Sequence, residues 1–253
     1  MFETFNSPAI FIAIQGVLSL YSYGLVTGIA VDTGAEVTQI VPTIEGNLIP
    51  EATSCLDLGG RDLNNYLMKI LIENGISFTY QHPIADVCKM KEKLCYVASD
   101  FKKAMHFAQR SDRRTYILPD NQVISMASER FQCPEALFQP SFLGKEFNGV
   151  HRTCYDSIAK CDDSVRKDLL SNIVLSGGSS LFPGFAGRMA DELTALVRPA
   201  NARAVNVMAV PSRRHNVWIG GSIVAAQSAF QDMWLKKQEY EECGPSIIHK
   251  KCV

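Results

Sequence analysis

The sequence predicts an α/β fold. Short runs of β-branched and aliphatic residues, such as Thr27 to Val31, Val37 to Val41 and Ile173 to Leu175, read as strands. Segments with apolar residues three or four apart, such as Leu63, Leu67, Ile70 and Leu71, read as helices. The two kinds alternate along 253 residues, a length that suits one large domain or two small ones.

The first element, Phe11 to Tyr21, reads as a mostly buried helix with Pro8 in its first turn, and Gly24 breaks the chain after it. Thr27 to Val31 and Val37 to Val41 flank Asp32-Thr33-Gly34-Ala35-Glu36 and form a hairpin pattern. Asp62 is placed to cap a helix that runs to about Asn74, and Gly75 sits where a C-terminal glycine cap belongs. A second helix is expected from about Ile84 to Met105. Its apolar face carries Val87, Met90, Leu94 and Ala98, with Lys91 and Glu92 on other faces. Gln109 to Arg114 is polar and basic and reads as a surface loop. Thr115 to Leu118 and Val123 to Met126 flank Pro119-Asp120-Asn121-Gln122, the clearest β-turn in the chain. Ile173-Val174-Leu175 reads as a buried strand ending in Ser176-Gly177-Gly178-Ser179-Ser180. A helix follows with Met189, Leu193 and Leu196 inside. Ala204 to Val210 reads as a strand, Val217 to Trp234 as a helix, and Lys236 to Val253 as a polar tail broken at Gly244-Pro245.

Bulk properties narrow the function classes. Hydrophobic residues make up 47% and charged residues 20%, as in ordinary globular proteins. The net charge of -1 gives no electrostatic reason to expect nucleic acid or an anionic membrane as partner. Met1 to Leu25 lacks the basic start and cleavage site of a signal peptide, and no run has the length of a spanning helix. An intracellular protein is therefore expected. The eight cysteines, Cys55, Cys88, Cys95, Cys133, Cys154, Cys161, Cys243 and Cys252, contain no C-x-x-C pair. They are expected to be mostly reduced and buried, with Cys252 exposed and reactive. The five histidines, His82, His106, His151, His215 and His249, show no metal-ligand spacing.

Two glycine turns are candidates for chemistry. Asp32-Thr33-Gly34 lies at a hairpin tip and Ser176-Gly177-Gly178-Ser179 between a strand and a helix. Backbone N–H groups in such turns cradle phosphate oxygens, and Asp32 could hold a water of a magnesium ion. Either turn is also readable as a plain tight turn. Asp57-Leu58-Gly59-Gly60-Arg61-Asp62 is either a loop with a helix cap or a glycine set against a nucleotide. Gln15, polar in an apolar helix, is either a satisfied core amide or a group that positions water, and periodicity favours the amide. There is no Walker loop and no G-x-G-x-x-G.

The ordered blocks of the chain resemble actin. They are Met1-Phe2-Glu3-Thr4-Phe5-Asn6, Ala13-Ile14-Gln15, Val17-Leu18-Ser19-Leu20-Tyr21, Gly59-Gly60-Arg61-Asp62-Leu63, Lys91-Glu92-Lys93-Leu94-Cys95-Tyr96-Val97-Ala98, Phe138-Gln139-Pro140-Ser141-Phe142, Leu175-Ser176-Gly177-Gly178, Val217-Trp218-Ile219-Gly220-Gly221-Ser222-Ile223 and Gly244-Pro245-Ser246-Ile247. Met1 to Asn6 resembles an internal stretch of actin, so the resemblance covers roughly its C-terminal two-thirds, with the N-terminal third absent. It implies the actin-like ATPase (ribonuclease H-like) fold, the second half complete with its outer subdomain and the first half only partly present. The implied division is 1–21 as a remnant helix of the first half, 22–58 and 144–216 as the inner subdomain of the second, 59–143 as its outer subdomain, and 217–253 as C-terminal helices of the first half.

The resemblance also implies roles. Gln15 matches the glutamine that orients the attacking water. Asp32 matches an aspartate near the metal, holding it through water, and Gly34 belongs to the second phosphate loop. Gly60, Lys91, Glu92, Gly178, Phe182 and Arg214 match nucleotide contacts. ATP or ADP with Mg is the implied cofactor, and actin or actin-binding proteins in a cytoplasmic, cytoskeletal setting are the implied partners. The departures count too. Ala35 and Glu36 replace the last Asp and Gly of actin's Asp-Ser-Gly-Asp-Gly loop, Gln39 replaces a histidine near the hydrolytic water, and Cys88 replaces a nucleotide-contacting arginine. With the first phosphate loop absent as well, the site is expected to be degenerate and to lack robust ATP hydrolysis. The alternatives are an interaction module within a larger assembly and a working ATPase of the same fold.

Overall fold

The computed structural model describes residues 1–78, 83–108, 113–197 and 199–252. In chain order the elements are α1 (Phe2–Phe5), β1 (Ala9–Ile10), α2 (Gln15–Tyr21), β2 (Gly28–Thr33), β3 (Thr38–Ile44), β4 (Asn47–Leu48), β5 (Ser54–Leu56), α3 (Gly60–Glu73), α4 (Ile84–Leu94), α5 (Phe101–His106), β6 (Arg114–Ile117), β7 (Val123–Met126), α6 (Glu129–Glu135), α7 (Val150–Lys160), α8 (Asp163–Ser171), β8 (Ile173–Ser176), α9 (Phe185–Leu196), α10 (Pro199–Ala202), β9 (Val207–Met208), α11 (Asn216–Ala225), β10 (Leu235–Lys236), α12 (Lys237–Cys243) and α13 (Ile248–Lys251).

A mixed sheet organises the centre. Its order is β4-β3-β2-β8-β9, with β5 paired to β3. β2 runs antiparallel to β3 and parallel to β8, and β8 runs parallel to β9. β2 and β8 are buried along their whole lengths, so both faces of these strands are covered. Leu20 of α2 covers one face with Ala30 and Val174. On the other face Ile29, Val31 and Leu175 enter a core that continues through Leu63, Leu67, Val87 and Met90 to Phe138, Phe185 and Met189. That core joins α7, α8 and α9 to an outer layer of α3, α4, β6, β7 and α6.

α3 forms where its local signals place it. Asp62 accepts from the Gly59 N–H at 2.9 Å, and Leu63, Leu67, Ile70 and Leu71 are buried. The helix stops at Asn74, and Gly75 follows in the left-handed region at φ 84°. The two hairpins also form where expected, with Asp32 opposite Gln39 in the first and Ile117 opposite Val123 in the second.

Other expectations need correction. The helix expected from Ile84 to Met105 is two helices. α4 ends at Leu94, because the Tyr96 and Val97 N–H groups bond the Arg130 and Pro183 carbonyls at 3.0 and 2.8 Å. Asp100 then caps α5 by accepting from Lys103 N–H at 3.0 Å. Val97 and Ala98 are still buried, so the apolar spacing marked burial but not helix. Lys91, expected away from the core face, is buried too. The helix expected from Phe11 begins only at Gln15, since Ala9 and Ile10 pair with Lys236 and Leu235. Pro8 thus precedes a strand. The helix expected from Val217, α11, ends at Ala225 rather than Trp234, and Phe230 packs against Phe11 and Trp234 with ring centroids 4.9 Å apart in each case. The strand expected over Ala204 to Val210 is reduced to Val207–Met208, and the polar tail forms α12 and α13 around Gly244. Leu196 is only half-buried. Residues 109–112 of the expected loop lie outside the described residues.

Cys95, Cys133, Cys154 and Cys161 are buried, whereas Cys55 and Cys243 are exposed and Cys252 is half-buried. The cysteines are free, and burial pushes the Cys154 thiol up to about 12. No helix of the described residues is long and apolar enough to cross a membrane.

Candidate functional site: a cavity between the sheet and the outer layer

One cavity of about 630 Å³ opens beyond the carboxyl ends of the parallel strands β2 and β8. Open α/β sheets generally place ligands there. All nine residues singled out from the sequence, Gln15, Asp32, Gly34, Gly60, Lys91, Glu92, Gly178, Phe182 and Arg214, line this cavity. Each lies at or near the end of an element. Gln15 opens α2, Asp32 is the penultimate residue of β2, and Gly34 is in the β2–β3 turn. Gly60 opens α3, Lys91 and Glu92 are in the last turn of α4, Gly178 and Phe182 follow β8, and Arg214 precedes α11.

The β2–β3 turn is fastened to the outer layer. Gly60 and Arg61 N–H donate to the Gly34 and Ala35 carbonyls at 3.0 and 2.7 Å. The Ser179 hydroxyl also donates to the Gly34 carbonyl at 2.8 Å, and Lys91 Nζ donates to the Gly60 carbonyl at 2.8 Å. A side chain on Gly60 would put its Cβ 2.8 Å from Ser179 Oγ and 3.3 Å from Lys91 Nζ, so the close approach of these groups depends on glycine. Gly177 has φ 85°, and a Cβ there would stand 2.2 Å from the Thr33 carbonyl oxygen. The two glycine turns therefore touch each other through backbone.

The charges are mixed. Asp32 is 7% exposed; burial pushes its carboxyl above the ordinary range, and a hydrogen bond from the Ser176 hydroxyl, 2.8 Å from Oδ2, opposes that shift. Lys91 is 5% exposed and makes no ion pair among the described residues, so a buried ammonium faces the cavity with a carbonyl as its hydrogen-bond partner. Arg61 on the rim pairs with Glu36, and both side chains are mostly exposed. Asn64 Oδ1 is buried against the cavity with no hydrogen-bond partner among the described residues. A cavity of this size, with a buried cation, a buried anion and an unsatisfied acceptor, has the makings of a site for a polar ligand.

Sequence reasoning missed several contributors. Asn64 and Leu181 line the cavity without having been singled out. Arg213, 9% exposed, fixes the turn after β8 by donating to the Ser180 hydroxyl at 3.1 Å and to the Ser180 carbonyl at 2.8 Å. Its neighbour Arg214 was found, and the pair of adjacent arginines was the available signal. Cys88, where the resemblance places an arginine, lines the cavity with its thiol 3.6 Å from Glu92 Oε1. Gln39 sits opposite Asp32 on β3 and is not among the lining residues. No cluster of three or more metal-ligating side chains occurs among the described residues.

Comparison with known families agrees with the fold and extends along the whole sequence. The family model described as Actin matches residues 1–253, and the chain belongs to the actin family.

Proposed function

We propose that this protein is an actin-family structural or interaction protein that binds a nucleoside polyphosphate with magnesium in the cavity but hydrolyses it poorly. The observation that carries the reading is the convergence of Asp32, Gly34, Gly60, Lys91, Gly178 and Arg214 on one cavity of about 630 Å³. The residues fit such a ligand. Lys91 and Arg214 supply positive charge, Asn64 Oδ1 supplies an acceptor unused among the described residues, and, its chain neighbours aside, no described residue comes within 4 Å of a Cβ built on Gly178, which leaves open space beside the backbone there. Bound magnesium would neutralise phosphate charge. Asp32 would hold the ion through water, Phe182 and Gly178 would flank the nucleoside, and Gln15 would orient a water.

Poor hydrolysis is inferred from residues that are present. Catalysis of phosphoryl transfer rests on positioning and on charge stabilisation around the transferred group. Here Glu36 places a carboxylate beside the phosphate loop and draws Arg61 to itself. Gln39 has no place in the cavity lining, and Ala35 offers no polar side chain. Membership of the actin family also supports a cytoskeletal setting in the cytoplasm.

Phosphate release is the test of this half of the reading. Turnover with Mg-ATP far below that of actin under the same conditions is expected; turnover equal to actin's would overturn it and favour the ATPase alternative. An interaction role has its own support. α11 is apolar nearly all round, yet only Asn216 and Gly220 are buried, and Trp218 is 74% exposed. An apolar helix surface of this kind marks a protein contact. Sedimentation of the purified chain with and without actin should show co-assembly, and Trp218→Ser should weaken it.

A further inference from the structure

We propose that Ser176 and Ser19 are positioning residues that orient the Asp32 carboxylate for a divalent cation. The proposal rests on the nucleotide reading above and gives a role to Ser176, the first residue of the second glycine turn, and to Ser19, neither of which lines the cavity. In the parallel register of β2 and β8, Asp32 stands beside Ser176. The Ser176 hydroxyl donates to Asp32 Oδ2 at 2.8 Å, and the Ser19 hydroxyl donates to Ser176 Oγ at 3.1 Å. Ser19 and Ser176 are 0% and 1% exposed.

Each hydroxyl has one proton to give. Ser19 gives its proton to Ser176, and Ser176 gives its own to Asp32, so the chain of donors ends on the carboxylate. An aspartate is otherwise nearly free to turn about its last side-chain bond. Fixing Oδ2 fixes the carboxylate plane and leaves Oδ1 against the glycine turns, where a Cβ on Gly177 would lie 2.9 Å from it. Among the described residues Oδ1 accepts no hydrogen bond and is the oxygen available to a hydrated cation. Ser19 is also one helical turn beyond Gln15 on α2, so the two share a helix face. The same chain of hydroxyls therefore sets the helix that begins with Gln15 against the strand that carries Asp32.

Affinity for ATP, measured by calorimetry on the full chain in Mg2+ and again in EDTA, separates this role from general support of the fold. Ser176→Ala should weaken Mg-ATP about tenfold, the order expected for losing a hydrogen bond to a charged group, and leave metal-free ATP unchanged. Ser176→Thr should restore the Mg2+ preference. Ser19→Ala should shift it in the same direction by about threefold, and serves as the test if Ser176→Ala fails to fold, which thermal unfolding would show. Equal losses with and without Mg2+, or no loss in any folded variant, would overturn the proposal while leaving nucleotide binding intact. A wild-type chain that binds ATP in neither condition would overturn both.

Discussion

The region around the cavity and the region where the two chain ends meet are built to different standards. Around the cavity a continuous core runs from Ile29 and Ile40 through Leu67 and Met90 to Phe185, with little water access. Where the ends meet, β1 pairs with β10 over two residues, and the buried cluster is Phe2, Leu235 and Ile247. Phe5 and Ile12 beside it are 74% and 53% exposed. Local stability follows buried apolar contact, so the two regions should open at different free energies. The difference bears on function. Asp32, Gly34, Gly60 and Lys91 stand on the well-packed part. Gln15 begins α2 where the chain leaves the thinly packed part, with Ile14 still 39% exposed. Asp32, Gly34, Gly60 and Lys91, the groups proposed to hold a ligand, are thus anchored better than Gln15, the group proposed to orient water.

The largest effect should come from the junction inside the strong region. Glu135 is fully buried and bonds Arg188 through both oxygens, at 3.0 and 3.2 Å, while Gln139 donates to its Oε1. Burial raises the Glu135 carboxyl, and the hydrogen bonds from Gln139 and Arg188 oppose that shift. Arg188 also pairs with Glu192 at 2.7 Å, whereas Glu135 has Arg188 as its one ion-pair partner among the described residues, so Arg188→Ala should strand the buried carboxylate and cost about 3–5 kcal/mol in urea unfolding. A loss below about 1 kcal/mol would mean that the junction is wetter than the packing indicates.

Core truncation sharpens the comparison directly. Leu67→Ala should cost about 2–5 kcal/mol globally. Phe2→Ala should leave the global midpoint nearly unchanged and raise amide exchange only in residues 1–10 and 235–252. Equal global losses would mean that the two regions unfold as one unit.

At the site, Lys91→Met should weaken Mg-ATP by about tenfold, the scale of one hydrogen bond to a charged group. An unchanged dissociation constant would place the ligand away from α4.

The smallest effect should be a pH dependence at His151. Burial lowers its pKa from the ordinary 6.5; Glu192 opposes this, while Arg188 and Arg152 act in the same direction as burial. The folded state therefore holds the neutral imidazole, and the unfolded chain takes up the proton first on acidification. Stability should be fully present above about 6.5 and decline as the pH falls from there through the lowered folded value. Urea midpoints at pH 7 and pH 5 should show that slope in the wild type, and His151→Gln should flatten part of it.

Local chemistry was readable and distant pairing was not. The Pro119 to Gln122 turn, the Asp62 cap and the break after Ser176 use residues whose preferences act within a few positions. The end of α4 at Leu94 depends on carbonyls of Arg130 and Pro183, and no periodicity near Ile84 to Met105 carries that information. The pairing of Ala9 with Lys236 is further still from any local signal. At the site, the resemblance singled out side chains that converge in space. Its blocks contain Ser19 and Ser176, but it did not link their hydroxyls to Asp32, because the two serines are 157 residues apart and nothing local joins them. Nor did it show that Lys91 would be buried without an acidic partner among the described residues.

Thermal unfolding of the purified chain with and without millimolar-scale Mg-ATP tests the central claim most directly. A ligand that binds only the folded state adds about 2.7 kcal/mol of stability at a hundredfold excess over its dissociation constant. The cavity should bind, so a cooperative transition whose midpoint rises with Mg-ATP, and rises less for Lys91→Met, is the expected result. A cooperative transition that Mg-ATP leaves unmoved would contradict the account and reduce the cavity to an architectural remnant of the actin family.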